Sequence, residues 1–212
     1  MPQEASQGAQ SDLAITPLFI VFEGIDGSGK STQVTLLAKR FEASGIPFLI
    51  TAEPSDGPLG RKIRALSGRP TPEEEARLFT EDRRDHLQRV ILPALAAGIF
   101  VICDRYVYSS VAYQGARGVS EDKILAENRA FARPADVTFL LEIPVHEAID
   151  RIGRGRADFF SIFEGRAELA AVDVIYRGLT DPLITRIDGR LPAAEVHEQV
   201  AGALQRMGVS LD

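Results

Sequence analysis

Residues 24–31 read Gly-Ile-Asp-Gly-Ser-Gly-Lys-Ser, the Gly-x-x-x-x-Gly-Lys-Ser spacing of a Walker A phosphate-binding loop. Such a loop works only where a strand runs into it and a helix leaves it. Its glycines bring the backbone close to an anion, and the helix start aims unpaired amides at the same point. The flanks of this loop supply both. Leu18 to Phe22 is an apolar run, and Val34, Leu37, Ala38 and Phe41 recur at i, i+3, i+4 and i+7, the period of a half-buried helix. In that setting Gly24, Ile25, Asp26, Gly27, Ser28, Gly29 and Thr32 form or flank a nucleotide phosphate site. Lys30 reaches the outer phosphates and Ser31 holds Mg²⁺. A glycine-rich turn carrying a chance lysine would not require both flanks.

The apolar runs continue at residues 47–51, 99–103, 137–142 and 184–188, with helical patterns between them. Strands that alternate with helices predict an α/β fold with a parallel sheet covered on both faces. Thr71-Pro72-Glu73-Glu74-Glu75 has the makings of a strong helix start, with a capping hydroxyl, a proline in the first turn and acids at the positive end of the dipole. That helix is expected to run to about residue 92, before Pro93. Pro144 opens another helix, and Pro192 with Glu195 the last. In a parallel sheet of this kind ligands bind at the carboxyl ends of the strands, where Gly24, Glu53, Asp104 and Asp188 fall.

The chain of 212 residues suits one domain with one large core. Residues 1–16 read as a loose tail and 17–212 as a single domain. A poorly periodic, Gly- and Arg-containing segment at about 153–164 reads as a lid. A net charge of −6 speaks against bulk binding of nucleic acid, so positive charge at a phosphate site must be local. Arginine supplies most of it, since the lysines are Lys30, Lys39, Lys62 and Lys123 alone; its forked guanidinium suits phosphate. The single Cys103 excludes a disulfide framework and reads as core. His86, His146 and His197 have no metal spacing. The tail lacks the layout of a signal peptide. The apolar stretch from Val90 to Cys103 is too short for a membrane span. A cytoplasmic protein is expected.

The strand from Phe100 to Cys103 ends in Asp104-Arg105-Tyr106. An acid at that place can hold Mg²⁺, often through water. Arg105 then suits a grip on a second phosphate through two parallel hydrogen bonds; the plainer alternative is a surface ion pair. Tyr106, Ser109, Ser110 and Tyr113 would share one face of a helix. Phe79 and Arg83, four apart, share a face of the long helix before them and can stack on and bond a flat base. Taken singly, Phe79 reads as core and Arg83 as a solvated charge.

These segments together resemble the thymidylate kinases. Phe22 to Gln33 is similar to their phosphate loop, Leu78 to Arg83 to their base-binding helix, and Asp104 to Gly115 to their Asp-Arg-Tyr signature. Glu53-Pro54 with Gly60 and Arg64 resembles their Glu-Pro loop. Phe163-Glu164 with Val172 and Tyr176 resembles the end of their lid and the helix after it. Ile187-Asp188-Gly189 resembles their last-strand turn. The resemblance implies a P-loop NTPase-type five-stranded parallel sheet with helices on both faces and a short lid. It implies transfer of the ATP γ-phosphoryl to dTMP, with Mg²⁺, in dTTP synthesis, and a homodimer that engages neither nucleic acid nor membrane. By the same resemblance Glu53, Arg64, Phe79, Arg83, Arg105, Ser109, Ser110, Tyr113 and Gln114 bind the acceptor. Lys30, Asp26 and Arg105 act in transfer, with Arg154 and Arg156 closing from the lid. Ser31 and Asp104 hold the metal. Two positions depart from the family pattern: Ala52, where an arginine often precedes Glu-Pro, and Ile162, before Phe-Glu. Another nucleotide or nucleoside kinase, or a P-loop ATPase or switch, stays open at this stage.

Overall fold

The computed structural model describes residues 16–155 and 165–211. Among them the order is β1 (Phe19–Glu23), α1 (Lys30–Ala43), β2 (Phe48–Ala52), α2 (Pro58–Arg64) and α3 (Pro72–His86), then a π-helical stretch (Leu87–Ile91), α4 (Leu92–Ala96) and β3 (Phe100–Asp104). The chain continues through α5 (Val107–Ala116), α6 (Glu121–Arg129), β4 (Val137–Glu142), α7 (Val145–Gly155), α8 (Arg166–Gly178), β5 (Ile184–Asp188) and α9 (Ala193–Arg206). The strands form one sheet in the order β2-β3-β1-β4-β5, and every neighbouring pair is parallel. Each apolar run became a strand within one residue of its expected bounds.

Strand alternation sorts the core. Successive side chains of a strand point to opposite faces. Ile20 and Phe22 of β1 join Phe100, Ile102 and Phe139 under Leu37 and Phe41 of α1 and Val200 and Leu204 of α9. Phe19 and Val21 point the other way, with Val101 and Cys103, toward Leu87 and Ile91. On that second face, near β4, Leu140 and Ile25 pack with Ala112 of α5 and Val172 and Tyr176 of α8. Both faces are therefore sealed, and the carboxyl end of the sheet is where polar chemistry gathers.

Helix α3 starts as expected. Thr71 and Glu74 form a reciprocal capping box, with Pro72 in the first turn. The expected stop before Pro93 is corrected: helical backbone passes through Pro93 to Ala96. Proline clashes with the carbonyl one turn back and lacks an amide. Here the wider π-helical stretch precedes it, with the Leu92 amide donating to the Leu87 carbonyl, and this local widening takes up the proline inside a continuous helix.

The short helix α2 had no sequence signal. It folds back on the chain after β2, where the Glu53–Pro54 peptide is cis. Asp82 of α3 pins this turn, accepting from the Ser55 amide at 2.7 Å and the Ser55 hydroxyl at 2.6 Å. Gly60 packs so tightly on it that an added Cβ would stand 1.9 Å from the Ser55 carbonyl oxygen. Gly60→Ala is therefore expected to displace the turn and to destabilise the protein by about 1–3 kcal/mol, the usual cost of overpacking. Urea denaturation of the variant beside the parent protein measures this.

Candidate active site

Three strand ends converge at one sheet edge. The Arg105 amide donates to the Phe22 carbonyl at 2.9 Å, and the Glu53 amide donates to the Asp104 carbonyl at 3.0 Å. These bonds bring the ends of β1, β2 and β3 side by side. A cleft of about 780 Å³ opens there. Its walls are the phosphate loop from Asp26 to Gln33, the strand ends at Glu53, Asp104 and Arg105, and a far side formed by Arg151 and the turn from Gly189 to Ala193.

The phosphate loop requires glycine where the chain is most crowded. Gly27 has φ +80°, and a Cβ there would stand 2.5 Å from the Ala148 carbonyl oxygen. Lys30, 5% exposed, folds over the loop and donates to the carbonyls of Gly24 and Ile25, each at 2.9 Å, with Asp26 at 3.7 Å. Burial, and then the nearby Arg105, pull its pKa below the ordinary lysine value. Ile25 is buried in the core, so it offers the loop only its backbone. The Ser28 hydroxyl is buried without a protein partner. Ser31 and Thr32 are exposed at the start of α1.

Alternation along β3 turns Asp104 toward α1, and the Ser31 hydroxyl donates to Asp104 Oδ2 at 2.8 Å. Asp104 Oδ1 is buried and unpartnered. A hydroxyl and a carboxylate in contact, with one acceptor oxygen left over, suit a hard divalent cation that keeps most of its shell as water and phosphate oxygen.

Arg105 adopts a left-handed backbone, φ +72°, which a non-glycine residue rarely takes. The turn sends its guanidinium back across the sheet edge, where it pairs with Asp26. It also donates to the Tyr113 hydroxyl at 3.2 Å and to the Ser109 hydroxyl at 3.3 Å. Burial alone would lower its pKa, but Tyr113 and Asp26 hold it well above the ordinary value, so it is a fixed cation. The surface ion pair considered for Asp104-Arg105 does not form; Arg105 pairs with the phosphate loop instead.

Ser109, Ser110 and Tyr113 lie on α5 as expected. Tyr106 does not share their face. It precedes the helix, its ring meets Phe19 edge-on at 5.0 Å, and its hydroxyl donates to the Arg133 carbonyl at 3.1 Å. A residue at the helix N-cap has extended geometry, so helical spacing does not apply to it.

Behind Arg105 lies a buried polar cluster. Arg83 is 1% exposed. It donates to Glu53 at 2.8 Å, Asn128 at 2.7 Å, the Tyr106 carbonyl at 3.0 Å and the Ser110 hydroxyl at 2.9 Å. His86 stands 3.3 Å from the same Glu53. Arg83 and Ser110 are thus brought together, with Arg83 held by protein acceptors on several sides. Phe79 is half-buried on α3. Gln114 donates to Glu75 at 2.8 Å and leaves its own amide oxygen buried and unpartnered. Arg64 stands apart from the cleft, donating to the Pro54 carbonyl and to Asp56 at 2.9 Å. Of the segment expected as a lid, residues 153–155 are the end of α7, while Arg156, Ile162, Phe163 and Glu164 lie outside the described residues. Sequence reasoning missed Glu23, Glu75, Asn128 and Arg151; none sits in a recognisable spacing.

A parallel α/β sheet with a Walker A loop, and a fixed arginine facing that loop from the next strand, define a P-loop enzyme of nucleotide phosphoryl transfer. The family model described as thymidylate kinase matches residues 22–200. A thymidylate kinase of Akkermansia muciniphila is 44% identical over 188 residues, covering 87% of this chain and 90% of that protein. One from Desulfotalea psychrophila is 42% identical, covering 80% and 85%, and a probable thymidylate kinase of Pyrococcus abyssi is 50% identical over 63% and 68%. The chain belongs to the thymidylate kinase family.

The carboxylate of Glu23 gives the site a pH signature. Its pKa is raised, because burial outweighs the hydrogen bonds that Ser109, Tyr176 and Tyr106 donate and the pull of Arg105. The folded state then holds this proton more tightly than the unfolded chain does. Stability from this group is full below 4.5 and is lost as pH rises through the higher folded value. Glu23→Gln is expected to remove that downward slope. Urea midpoints for both proteins, taken at intervals from pH 4.5 to neutrality, check it.

Proposed function

We propose that this protein transfers the γ-phosphoryl group of ATP to dTMP, giving ADP and dTDP for dTTP synthesis. The observation that carries the reading is the contact of Arg105 with Asp26 across two strand ends. It sets a cation able to grip an acceptor phosphate directly against the loop that cradles a donor phosphate.

Phosphoryl transfer demands alignment and charge stabilisation far more than covalent help. The loop amides and Lys30 hold the donor. The Lys30 ammonium spends two of its three N–H groups on the Gly24 and Ile25 carbonyls, which leaves one for a phosphate oxygen. Arg105 holds the acceptor phosphate, and Arg64 joins it by giving up its bonds to the Pro54 carbonyl and Asp56. Asp26, between Lys30 and Arg105, keeps the two cations apart and orients both; it also faces the acceptor's sugar and phosphate. Tyr113, whose ring centre is 4.8 Å from the Arg105 guanidinium carbon, stands against the deoxyribose. Phe79 stacks on the base, and Arg83 with Ser110 presents donors to its edge. Glu53 acts by fixing Arg83. The unpartnered oxygen of Gln114 suits the N–H of a thymine ring. Ser31 and Asp104 would hold Mg²⁺, which screens the donor phosphates when bound. Arg154 and Arg156 close over the donor from the lid, excluding water and so limiting ATP hydrolysis.

A cytoplasmic location and a homodimer belong to the same proposal. Among the described residues no helix is long and apolar enough to cross a membrane. Ile50, on the edge strand β2, is 47% exposed and is one apolar group that a second copy would cover.

A coupled ADP assay with ATP and Mg²⁺ tests the reaction against a panel of dTMP, dUMP, dCMP and thymidine. Rapid ADP release with dTMP, weaker release with dUMP and little with dCMP or thymidine are expected. Release that needs no acceptor would mark an ATPase or switch. A preference for thymidine would mark a nucleoside kinase.

A further inference from the structure

Glu23 is the last residue of β1, one step before the phosphate loop, and it is fully buried. None of the roles above uses it. Alternation along β1 puts its side chain on the face of Phe19 and Val21, toward α5 and α8. There one carboxylate oxygen accepts from the backbone amides of Tyr106 at 2.8 Å and Ser109 at 3.0 Å. The other accepts from the Ser109 hydroxyl at 2.5 Å and the Tyr176 hydroxyl at 2.8 Å.

Those two amides belong to the start of α5, whose N-cap residue, Tyr106, makes no side-chain cap bond. Glu23 therefore caps α5 from a different strand. Ser109 is the link onward, since its hydroxyl donates to Glu23 and accepts from Arg105 at 3.3 Å. Arg105 itself sits between the end of β3 and this cap, in a conformation that needs outside support. Burying a carboxylate among neutral donors is costly, and an apolar residue of similar size would serve packing better. The cost makes sense if the carboxylate fixes something the reaction needs.

We infer that Glu23 is a positioning residue. Through Ser109 and the first turn of α5 it fixes the Arg105 guanidinium, and so sets where the acceptor phosphate sits relative to the phosphate loop. The bond from Tyr176 extends the same hold to α8, the helix that follows the lid segment. The inference rests on the proposal that Arg105 grips the acceptor phosphate.

A double-mutant cycle with Glu23→Gln and Arg105→Ala tests it, reading kcat and the KM for dTMP and for ATP. Glu23→Gln is expected to raise the dTMP KM about tenfold, the scale seen when the support of a binding group is lost, with the ATP KM nearly unchanged. In the Arg105→Ala background it should add nothing further, because its effect acts through that guanidinium. Tyr176→Phe removes a single donor and should show the same selectivity with a smaller rise; it serves if Glu23→Gln folds poorly. Should Arg105→Ala raise the dTMP KM while the Glu23 or Tyr176 change adds in full on top, or raises both KM values alike, the positioning role is overturned and the Arg105 assignment stands. If Arg105→Ala leaves the dTMP KM unaltered, the assignment of Arg105 fails and this inference goes with it.

Discussion

The ion pair between Arg105 and Asp26 is the contact on which the site depends. It spans the ends of two adjacent parallel strands, so it exists only because β1 and β3 pair in the register that sets Phe22 opposite Asp104. It also requires Arg105 to turn left-handed, a conformation that costs on the order of 1–3 kcal/mol and persists only where its surroundings compel it. Here the surroundings do: the backbone amide is held by β1, the carbonyl accepts from the Cys103 thiol at 3.1 Å, and the guanidinium is held by Asp26, Ser109 and Tyr113. Strain at one residue is balanced by a ring of contacts from four segments.

The polar interior behind this contact follows the same logic. Arg83, Glu53, His86 and Asn128 form a buried cluster in which each charged group has several partners. Removing one member of such a set leaves an uncompensated group, and this makes the set rigid. The proposed base site would need that rigidity more than it needs stability. Cys103, at the centre of the same layer, is fully buried and its thiol is pushed far above the ordinary pKa, first by burial and then by Glu53 and Asp104. It contributes packing and one weak donor.

Much of this was legible in the chain because the signals were local. The phosphate loop is a spacing, the strands are short apolar runs, and α3 announces its start with a cap and a proline. What could not be read was set by distant partners. Pro93 looked like a stop because the π-helical stretch that accommodates it has no sequence mark. Tyr106 seemed to belong with Ser109 and Tyr113 because helical spacing was extended one residue too far. Arg83, taken singly, read as a solvated charge; that Glu53 and Asn128 enclose it depends on α3, α5 and α6 meeting behind the sheet edge. Glu23 stood unnoticed for the same reason, since a single acid at a strand end has no pattern to betray its four donors.

The central claim is that two anion sites face each other across Arg105 and Asp26, close enough for direct transfer. Calorimetric binding of a compound in which the 5′ ends of adenosine and thymidine are joined by a polyphosphate chain tests that geometry most directly. Because one ligand would then fill both sites, it is expected to bind at least about a hundredfold more tightly than ATP or dTMP alone, in line with linked binding elsewhere. Affinity no better than that of ATP would contradict the account.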